Sequence, residues 1–405
     1  MCGVGLTEIA RSPRLDNIMP PFSDDNVTEP FIPPPFVEEG SESNYATSIP
    51  SSFAPSRILL KPYEHDRPVI PSDGDYQPFY NEYHEPSLFH SLRLYRFRTR
   101  RGDWKHVPNV EKESQFANDD PRSRPLPSSL RIITWNVDLI KNVWQDRING
   151  VLRHLQKVVE SHDGKGENEG YKGDAFVVLL QEVTPRMLNF IRDDEWVRRA
   201  FAIVPLREDK WPRQAYYGNV TLVSKDLEVV QAQIVHFSLT TSQRTGLLVY
   251  VRMSSTGKRE DSRTICIANT HLESLPAGEH IRPKQLEALA QLLKLDENIE
   301  GGVVAGDMNS ISKADRSLAR KLGLKDAWRQ GDSDPEGFTW GYQSLEEDKK
   351  YPPARLDKIL YVPKRRYKVD EPQRIGVGLK VHVQEGEEHW VSDHYGLLTT
   401  LHVVG

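Results

Sequence analysis

Cysteine is nearly absent. Cys2 and Cys266 are the only two in 405 residues. Two thiols that far apart make neither a disulfide framework nor a paired-cysteine zinc site. Cys266 lies in an apolar run and reads as a small buried hydrophobe. An intracellular compartment is therefore expected. Also missing is any run of roughly 18–20 apolar residues, the length a membrane-crossing helix needs. The stretch Met1 to Leu15 has no apolar core ahead of a cleavage pattern, so no secretory signal is expected. Nor is there an excess of positive charge. Lys and Arg number 53 against 58 Asp and Glu, a formal net charge of −5. That argues against a non-specific coat on nucleic acid and leaves room for an enzyme with a local basic groove.

Tryptophan is missing from most of the N-terminal third. Trp104 is the only one before residue 128, whereas seven follow it, which places the main core in the C-terminal part. Residues 1–74 are rich in Pro, Ser, Glu and Asp, as in Phe31-Ile32-Pro33-Pro34-Pro35-Phe36. This tail is expected to be disordered, because it cannot bury enough apolar surface to offset ordering. Residues 75–107 bring aromatics interleaved with Arg93, Arg96, Arg98, Arg100 and Arg101. Such a pattern can be a nucleic-acid footprint; a strand or two on the edge of the main domain, with a solvated basic face, is the preferred reading. A linker over 108–129 precedes a catalytic domain over 130–405.

In that domain strands alternate with helical stretches. Leu130 to Trp135 is a β-branched strand, and Ile148, Val151, Leu152, Leu155, Val158 and Val159 form one helical stripe. Phe176 to Leu180 reads as a strand buried on both faces. Thr184 caps a helix with Pro185 at its first position. Further strands are expected over Tyr216 to Val223, Leu227 to Phe237, Thr245 to Met253, Arg263 to Asn269, Val303 to Gly306, Arg355 to Tyr361 and Tyr395 to Val403. Helices are expected around Leu286, Leu289 and Leu293 and over Ala314 to Leu322. The pattern suits a four-layer α/β sandwich, two packed β-sheets flanked by helices.

What stands at the strand ends carries the chemistry. Asn136, Glu182, His271, Asp307, Asn309, Asp357, Asp393 and His394 all lie there. Each has a plain structural explanation. Asp307 and Asn309 can form an Asx-turn, His271 can be a buried structural imidazole, Asp357 can pair with Arg355 or Lys358, and Ser392-Asp393-His394 can be a turn. Together they form a set of carboxylates, amides and imidazoles with no nucleophilic Ser or Cys. Clustered carboxylates recruit a hard cation such as Mg²⁺, amides and imidazoles donate to phosphate oxygens, and a carboxylate can orient and deprotonate water. The combination suits metal-assisted hydrolysis of a phosphate ester.

Five motifs in order, Thr134-Trp135-Asn136, Leu180-Gln181-Glu182, Asn269-Thr270-His271-Leu272-Glu273-Ser274, Gly306-Asp307-Met308-Asn309 and Ser392-Asp393-His394, resemble those of the endonuclease/exonuclease/phosphatase superfamily, and their variants resemble its tyrosyl-DNA phosphodiesterase branch. The resemblance covers residues 130–405 and implies that fold. It implies Mg²⁺, or Mn²⁺ in its place, held by Glu182 with Asn136 beside it and Asp393 on the metal side. Asp307 would activate the attacking water, and Asn309 would hold that water or a phosphate oxygen. His394, oriented by Asp357, would donate to the phosphate; His271 and Ser274 would contact it. Trp340 would form an aromatic wall beside the nucleic acid, and Asn219 resembles a substrate-binding position of the wider superfamily. The implied reaction is hydrolysis of a 5′-phosphotyrosyl bond, in DNA carrying a tyrosyl or peptide adduct left by a trapped topoisomerase. A phenolate of pKa about 10 leaves readily, so a strong general acid is less necessary. Ile311 stands where that branch commonly has an arginine that touches DNA, so Lys313 or Arg316 is expected to take over. The expected place of work is the nucleus, with the cytoplasm as a second compartment, and no membrane association is expected. An RNA deadenylase, a sphingomyelinase or an inositol-phosphate phosphatase would use the same fold and chemistry. A catalytically dead scaffold is the least favoured reading, because every site position carries a competent side chain.

Overall fold

The computed structural model describes residues 88–107, 125–139, 143–162, 175–213, 215–343, 351–383 and 386–405. The tail expected over 1–74 and most of the linker lie outside the described residues.

Two sheets make the body. The first runs β1 (Leu88–Leu92), β8 (Val229–His236), β9 (Thr245–Met253), β10 (Arg263–His271), β11 (Gly301–Asp307), β13 (Asp357–Tyr361) and β12 (Lys325–Asp326). The second runs β14 (Tyr367–Val369), β18 (Gly396–Val403), β4 (Ser129–Asn136), β5 (Ala175–Val183), β7 (Gly218–Ser224), β6 (Phe201–Val204), β2 (Tyr95–Arg98) and β3 (Asp103–His106), with β15 (Gln373–Ile375) also on β18. A small hairpin pairs β16 (Lys380–His382) with β17 (Glu388–Trp390). The helices are α1 (Trp144–Glu160), α2 (Pro185–Asp193), α3 (Glu195–Ala200), α4 (Arg282–Leu295) and α5 (Lys313–Lys321). No helix among the described residues is long and apolar enough to cross a membrane.

The side-chain period of two sorts each strand between two cores. Leu130 and Ile132 of β4, Val177 and Leu179 of β5, Ile265 and Ile267 of β10, and Val303 and Ala305 of β11 meet between the sheets. The alternate residues Ile133, Trp135, Phe176 and Val178 face outward and are covered by Ile148, Val151, Leu152 and Leu155 of α1 and by Met187, Leu188 and Ile191 of α2. On the far side Cys266, Ala268 and Val304 take Leu286, Leu289 and Leu293 of α4 and Leu318 of α5. The order helix, sheet, sheet, helix is the expected four-layer sandwich. Truncating one of these side chains, Leu152 for instance, costs about 2–5 kcal/mol.

The helix starts follow local chemistry. Thr184 accepts from the Met187 N–H with Pro185 at the first helical position, and Ser312 and Asp315 form a reciprocal capping box on α5. The basic N-terminal stretch settles as edge strands. β1 borders the first sheet and β2–β3 the second, and Arg98 pairs with Asp103 across that hairpin. The short strands β14 to β17 and the α3–β6 step have too little periodicity to read in sequence.

Register places the chemistry. Within the parallel pair β4–β5, Asn136 stands opposite Gln181. In the parallel pair β10–β11, His271 stands opposite Asp307, and across the antiparallel β11–β13 ladder Asp307 faces Asp357. The carboxyl ends of both parallel pairs therefore open on one end of the sandwich, the usual location of α/β sites. At that end the core turns polar. Gln181 Nε2 reaches Asn269 Oδ1 at 2.8 Å, and Asn269 Nδ2 donates to the Val220 carbonyl at 3.0 Å. These amide bonds tie the two sheets together directly beneath the site.

Candidate active site

Asp138 (φ 57°), Glu182 (φ 58°) and Asn309 (φ 45°) have left-handed backbones although none is glycine. Glu182 sits where the β5–β7 register shifts between Leu180 and Val183, a bulge that re-aims its side chain out of the strand. Such conformations cost about 1–3 kcal/mol each and persist only where their surroundings over-determine them. Gly306 has φ 146°, and a Cβ there would lie 1.8 Å from the Thr270 carbonyl oxygen on the neighbouring strand. The glycine before Asp307 is thus a steric requirement of the β10–β11 pair.

Asp307, 2% exposed, divides its two oxygens between structure and site. Oδ1 accepts from the Asn309 N–H at 2.8 Å, so the Asx-turn does form. Oδ2 turns to the site, 3.1 Å from Asn136 Nδ2, 3.3 Å from His271 Nε2 and 3.8 Å from His394 Nε2. Burial, with the Asp357 charge behind it, raises the Asp307 carboxyl to about 6 against the pull of His394. Asn309 lines the cleft, while its amide donates to the Leu272 carbonyl at 3.0 Å.

His394 is held from behind. Its Nδ1 lies 2.7 Å from Asp357 Oδ2, and Asp357 is wholly buried. Burial disfavours the imidazolium, but Asp357, Asp393 and Asp307 outweigh it and hold the His394 pKa well above its ordinary value. Arg355 and Lys358 leave Asp357 alone and pair with Asp326 and Asp332, which rules out the plain ion-pair explanation of Asp357. Ser392 serves as both turn and anchor. Its hydroxyl donates to the Asn136 carbonyl at 2.6 Å and accepts from the His394 N–H at 3.0 Å, and the Trp135 indole N–H donates to the His394 carbonyl at 3.0 Å.

His271 shows the opposite electrostatics. Arg244 Nη1 lies 2.8 Å from its Nδ1. A guanidinium can only donate, so Nδ1 is the acceptor and Nε2 carries the proton that faces Asp307. Burial, Arg244 and His394 hold the His271 pKa well below the ordinary value. The cleft thus contains one neutral and one cationic imidazole.

One cluster of ligand-type groups is Asp307, Asp357 and His394, with an atom from each within 4.8 Å of the others. It suits a hard cation poorly, because the His394 Nδ1 is bonded to Asp357 and the ring is held protonated; such cations prefer oxygen. Glu182 and Asp393 offer the better set. Glu182 Oε1 is 3.2 Å from Asn136 Nδ2, and its Oε2 accepts from the Leu139 N–H at 3.1 Å. Burial, then Asp138 and Glu182, push the Asp393 carboxyl up against the pull of His394, a repulsion that a divalent cation would relieve. Two carboxylates plus water and a substrate phosphate are what Mg²⁺ ordinarily uses. Asn136 bridges Glu182 and Asp307 through its nitrogen, and its oxygen accepts from the Asp138 N–H at 3.0 Å.

The cleft is about 780 Å³ and is lined by Glu182, His271, Ser274, Asp307, Trp340 and His394 among others. The Trp340 indole N–H donates to Asp393 Oδ2 at 2.9 Å, so the aromatic wall also fixes a carboxylate. Arg316 and Ile311 are both part of the lining, and Ile311 is 39% exposed. Asn219 is placed differently: its amide donates to the Thr245 carbonyl at 3.0 Å, a bridge between the sheets. Sequence reading missed Arg244 and Tyr217. Both line the cleft, and the Arg244 guanidinium lies 5.2 Å from the centre of the Tyr217 ring. The only sequence signal was a basic residue immediately before the β9 strand.

A model of the Endonuclease/Exonuclease/phosphatase family matches residues 133–394, a span that contains every one of these site residues. The chain belongs to the endonuclease/exonuclease/phosphatase family. Among family relatives it is similar to tyrosyl-DNA phosphodiesterase 2 of Gallus gallus, 27% identical over 289 residues that cover 68% of each chain. It is also similar to tyrosyl-DNA phosphodiesterase 2 of Danio rerio, 25% identical over 300 residues and 71% of each chain. In fold it is similar to the crystal structure of a humanized D. rerio TDP2, with a TM-score of 0.51 at 23% identity, over 68% of this chain and 100% of that one. These findings support a family phosphodiesterase, and the acidic cleft supports a divalent metal.

Proposed function

We propose that this endonuclease/exonuclease/phosphatase chain is a Mg²⁺-dependent phosphodiesterase that hydrolyses 5′-phosphotyrosyl DNA, with Mn²⁺ able to replace Mg²⁺. The observation that carries the reading is the geometry around Asp307: its Oδ2 lies between His271 Nε2 at 3.3 Å and His394 Nε2 at 3.8 Å, with Arg244 behind the first imidazole and Asp357 behind the second. Similarity to the tyrosyl-DNA phosphodiesterases supports the substrate.

In this mechanism Glu182 and Asp393 would hold the cation. When bound, Mg²⁺ supplies Lewis-acid polarisation of a phosphoryl oxygen and neutralises part of its charge. Asp307 orients a water through Oδ2 and takes its proton; a carboxylate near 6 is a better base than an ordinary one. Water oxygen bonds to phosphorus while the bond to the tyrosyl oxygen breaks. His394 donates through Nε2 to the oxygens that gain charge, and Asn136, Asn309 and the His271 N–H keep water and phosphate in place. The tyrosine leaves as phenolate, whose pKa of about 10 lets it go without a strong general acid. Ser274 borders the phosphate and Trp340 the DNA strand. A DNA substrate implies the nucleus, with the cytoplasm as a second compartment.

A second reading keeps this chemistry and changes the substrate to RNA, sphingomyelin or an inositol phosphate. Ile311 favours it, because an apolar residue borders the cleft beside Asn309. Turnover of a 5′-tyrosyl oligonucleotide, poly(A), sphingomyelin and a phosphoinositide should be compared in Mg²⁺. Release of tyrosine and a 5′-phosphate is expected, and an intact tyrosyl oligonucleotide would refute the first reading.

A further inference from the structure

Glu273 has no part in the mechanism above, although it lies between His271 and Ser274 and is 1% exposed. Its carboxylate is saturated by the loop that joins β8 to β9. Oε2 accepts from Thr240 Oγ1 at 2.9 Å and from the N–H groups of Thr241 at 3.0 Å and Ser242 at 3.4 Å. Oε1 accepts from Thr241 Oγ1 at 2.7 Å. Gln285 of α4 braces it further. Gln285 Oε1 accepts from the Glu273 N–H at 2.8 Å, and its Nε2 stands 3.5 Å from Glu273 Oε2. Burial raises the Glu273 pKa, but the bonds from Ser242, Thr241 and Thr240 outweigh it, so the group stays ionised.

The loop it holds is strained. Gln243 has φ 56°, a conformation that a non-glycine residue keeps only when its surroundings impose it. The next residue is Arg244. The Thr240 hydroxyl that donates to Glu273 also accepts from the Arg244 N–H at 2.8 Å, which makes a continuous relay. Beyond it, Arg244 Nη1 reaches His271 Nδ1 at 2.8 Å and Nη2 reaches Ser274 Oγ at 3.3 Å. Because a guanidinium offers no acceptor, the position of Arg244 selects which His271 nitrogen carries the proton.

We propose that Glu273 is a positioning residue that clamps the Thr240–Ser242 turn, sets Arg244 against His271 and so fixes the imidazole with its Nε2–H directed at Asp307. A carboxylate is required at this point. An amide would face the Thr241 N–H and two hydroxyl donors with one NH₂ of its own, and the relay would break at one of its two oxygens. The proposal rests on the reading of this cleft as a phosphodiesterase site, so its test has one arm that needs no turnover.

That arm is the imidazole ¹⁵N spectrum of histidine-labelled protein. The wild type is expected to show His271 as the Nε2–H tautomer, with a well-separated unprotonated Nδ1. In Glu273→Gln and in Arg244→Ala the two signals should move towards each other as the tautomers mix. The kinetic arm is a double-mutant cycle on a 5′-tyrosyl oligonucleotide. Glu273→Gln should lower kcat by about 10–100-fold, the range for residues that orient a ligating or catalytic group, with little change in KM. In the Arg244→Ala background the same change should cost less than about threefold, because its route to the site is gone. Thr240→Val keeps the carboxylate but removes one of its hydroxyl donors and the acceptor of the Arg244 N–H, and should reproduce the spectral shift in part with a smaller loss of Tm than Glu273→Gln. An unchanged His271 spectrum in Glu273→Gln, or an equal loss of kcat in both backgrounds, overturns the proposal. A wild type that leaves tyrosyl DNA intact while the spectra shift as described refutes the substrate reading alone.

Discussion

Asp357→Asn tests the electrostatic core of the site. Asp357 is buried, its Oδ2 is 2.7 Å from His394 Nδ1, and its Oδ1 has no partner in the described residues. Two unit charges about 4 Å apart attract by about 4 kcal/mol at an effective dielectric of about 20. The largest single attraction that keeps His394 cationic against its burial is therefore lost with this one charge. If the new amide presents its nitrogen, His394 keeps a neutral Nε2–H towards the phosphate. Loss of such a donor's charge costs about 10²–10³-fold in kcat, or about 2.7–4 kcal/mol. If it presents its oxygen, Nε2 becomes an acceptor aimed at Asp307, and about 10⁴-fold is expected, as for a wrong tautomer. Stability has its own signature. The folded His394 pKa is raised above the unfolded one, so the stabilisation is complete below about 6.5 and fades as pH rises through the folded value. The variant should lose Tm at acid pH and converge on the wild type at high pH. The assay is single-turnover release of tyrosine from a 5′-tyrosyl oligonucleotide, beside thermal melts across pH. A correctly folded variant within threefold of wild-type kcat would sink the argument that His394 acts as a cation.

Asp307→Asn should lower turnover by orders of magnitude while Tm holds or rises, because one of two mutually repelling buried carboxylates is removed; calorimetry and turnover on one preparation check both. Glu182→Gln should weaken Mg²⁺ binding by at least about tenfold, measured by calorimetric titration, and excess Mg²⁺ should recover part of the rate. Asp307 must lose its proton to act as base, and burial with Asp357 raises its pKa to about 6. The rate should therefore fall as pH drops below about 6; in Asp357→Asn the lost Asp357 repulsion and the lost His394 charge act on Asp307 in opposite directions, so that limb should move little. Arg316→Ala should weaken binding of a tyrosyl oligonucleotide and lower the slope of log K against log salt by about 1, as for one lost phosphate contact; an unchanged slope would show that Arg316 does not touch the strand.

The fold was largely legible because strands and helices announce themselves through their periods. The α1 stripe, the two-faced run of β5 and the Thr184-Pro185 start all follow from near neighbours in the chain. The same is true of the list of site residues, since polar groups at the ends of apolar strands stand out. Their roles were a different matter. Whether Asp357 serves Arg355, Lys358 or His394 depends on three-dimensional position, and the fold gives the two cations to Asp326 and Asp332. Asn219 looked like a site amide, but its amide bridges the sheets. Arg244 carried no more than the signal of a basic residue before β9, because its partners, His271 and Ser274, arrive from the end of β10 and the loop after it.

By itself, then, the sequence determined the layers, the strand ends and the kinds of group at them, all properties of neighbouring residues. The tertiary structure alone decided which histidine is cationic and which is neutral. Protonation depends on which charges lie within a few ångströms and how dry the site is, and these come from segments far apart in the chain: Asp357 behind His394, Arg244 behind His271, and Glu273 behind Arg244.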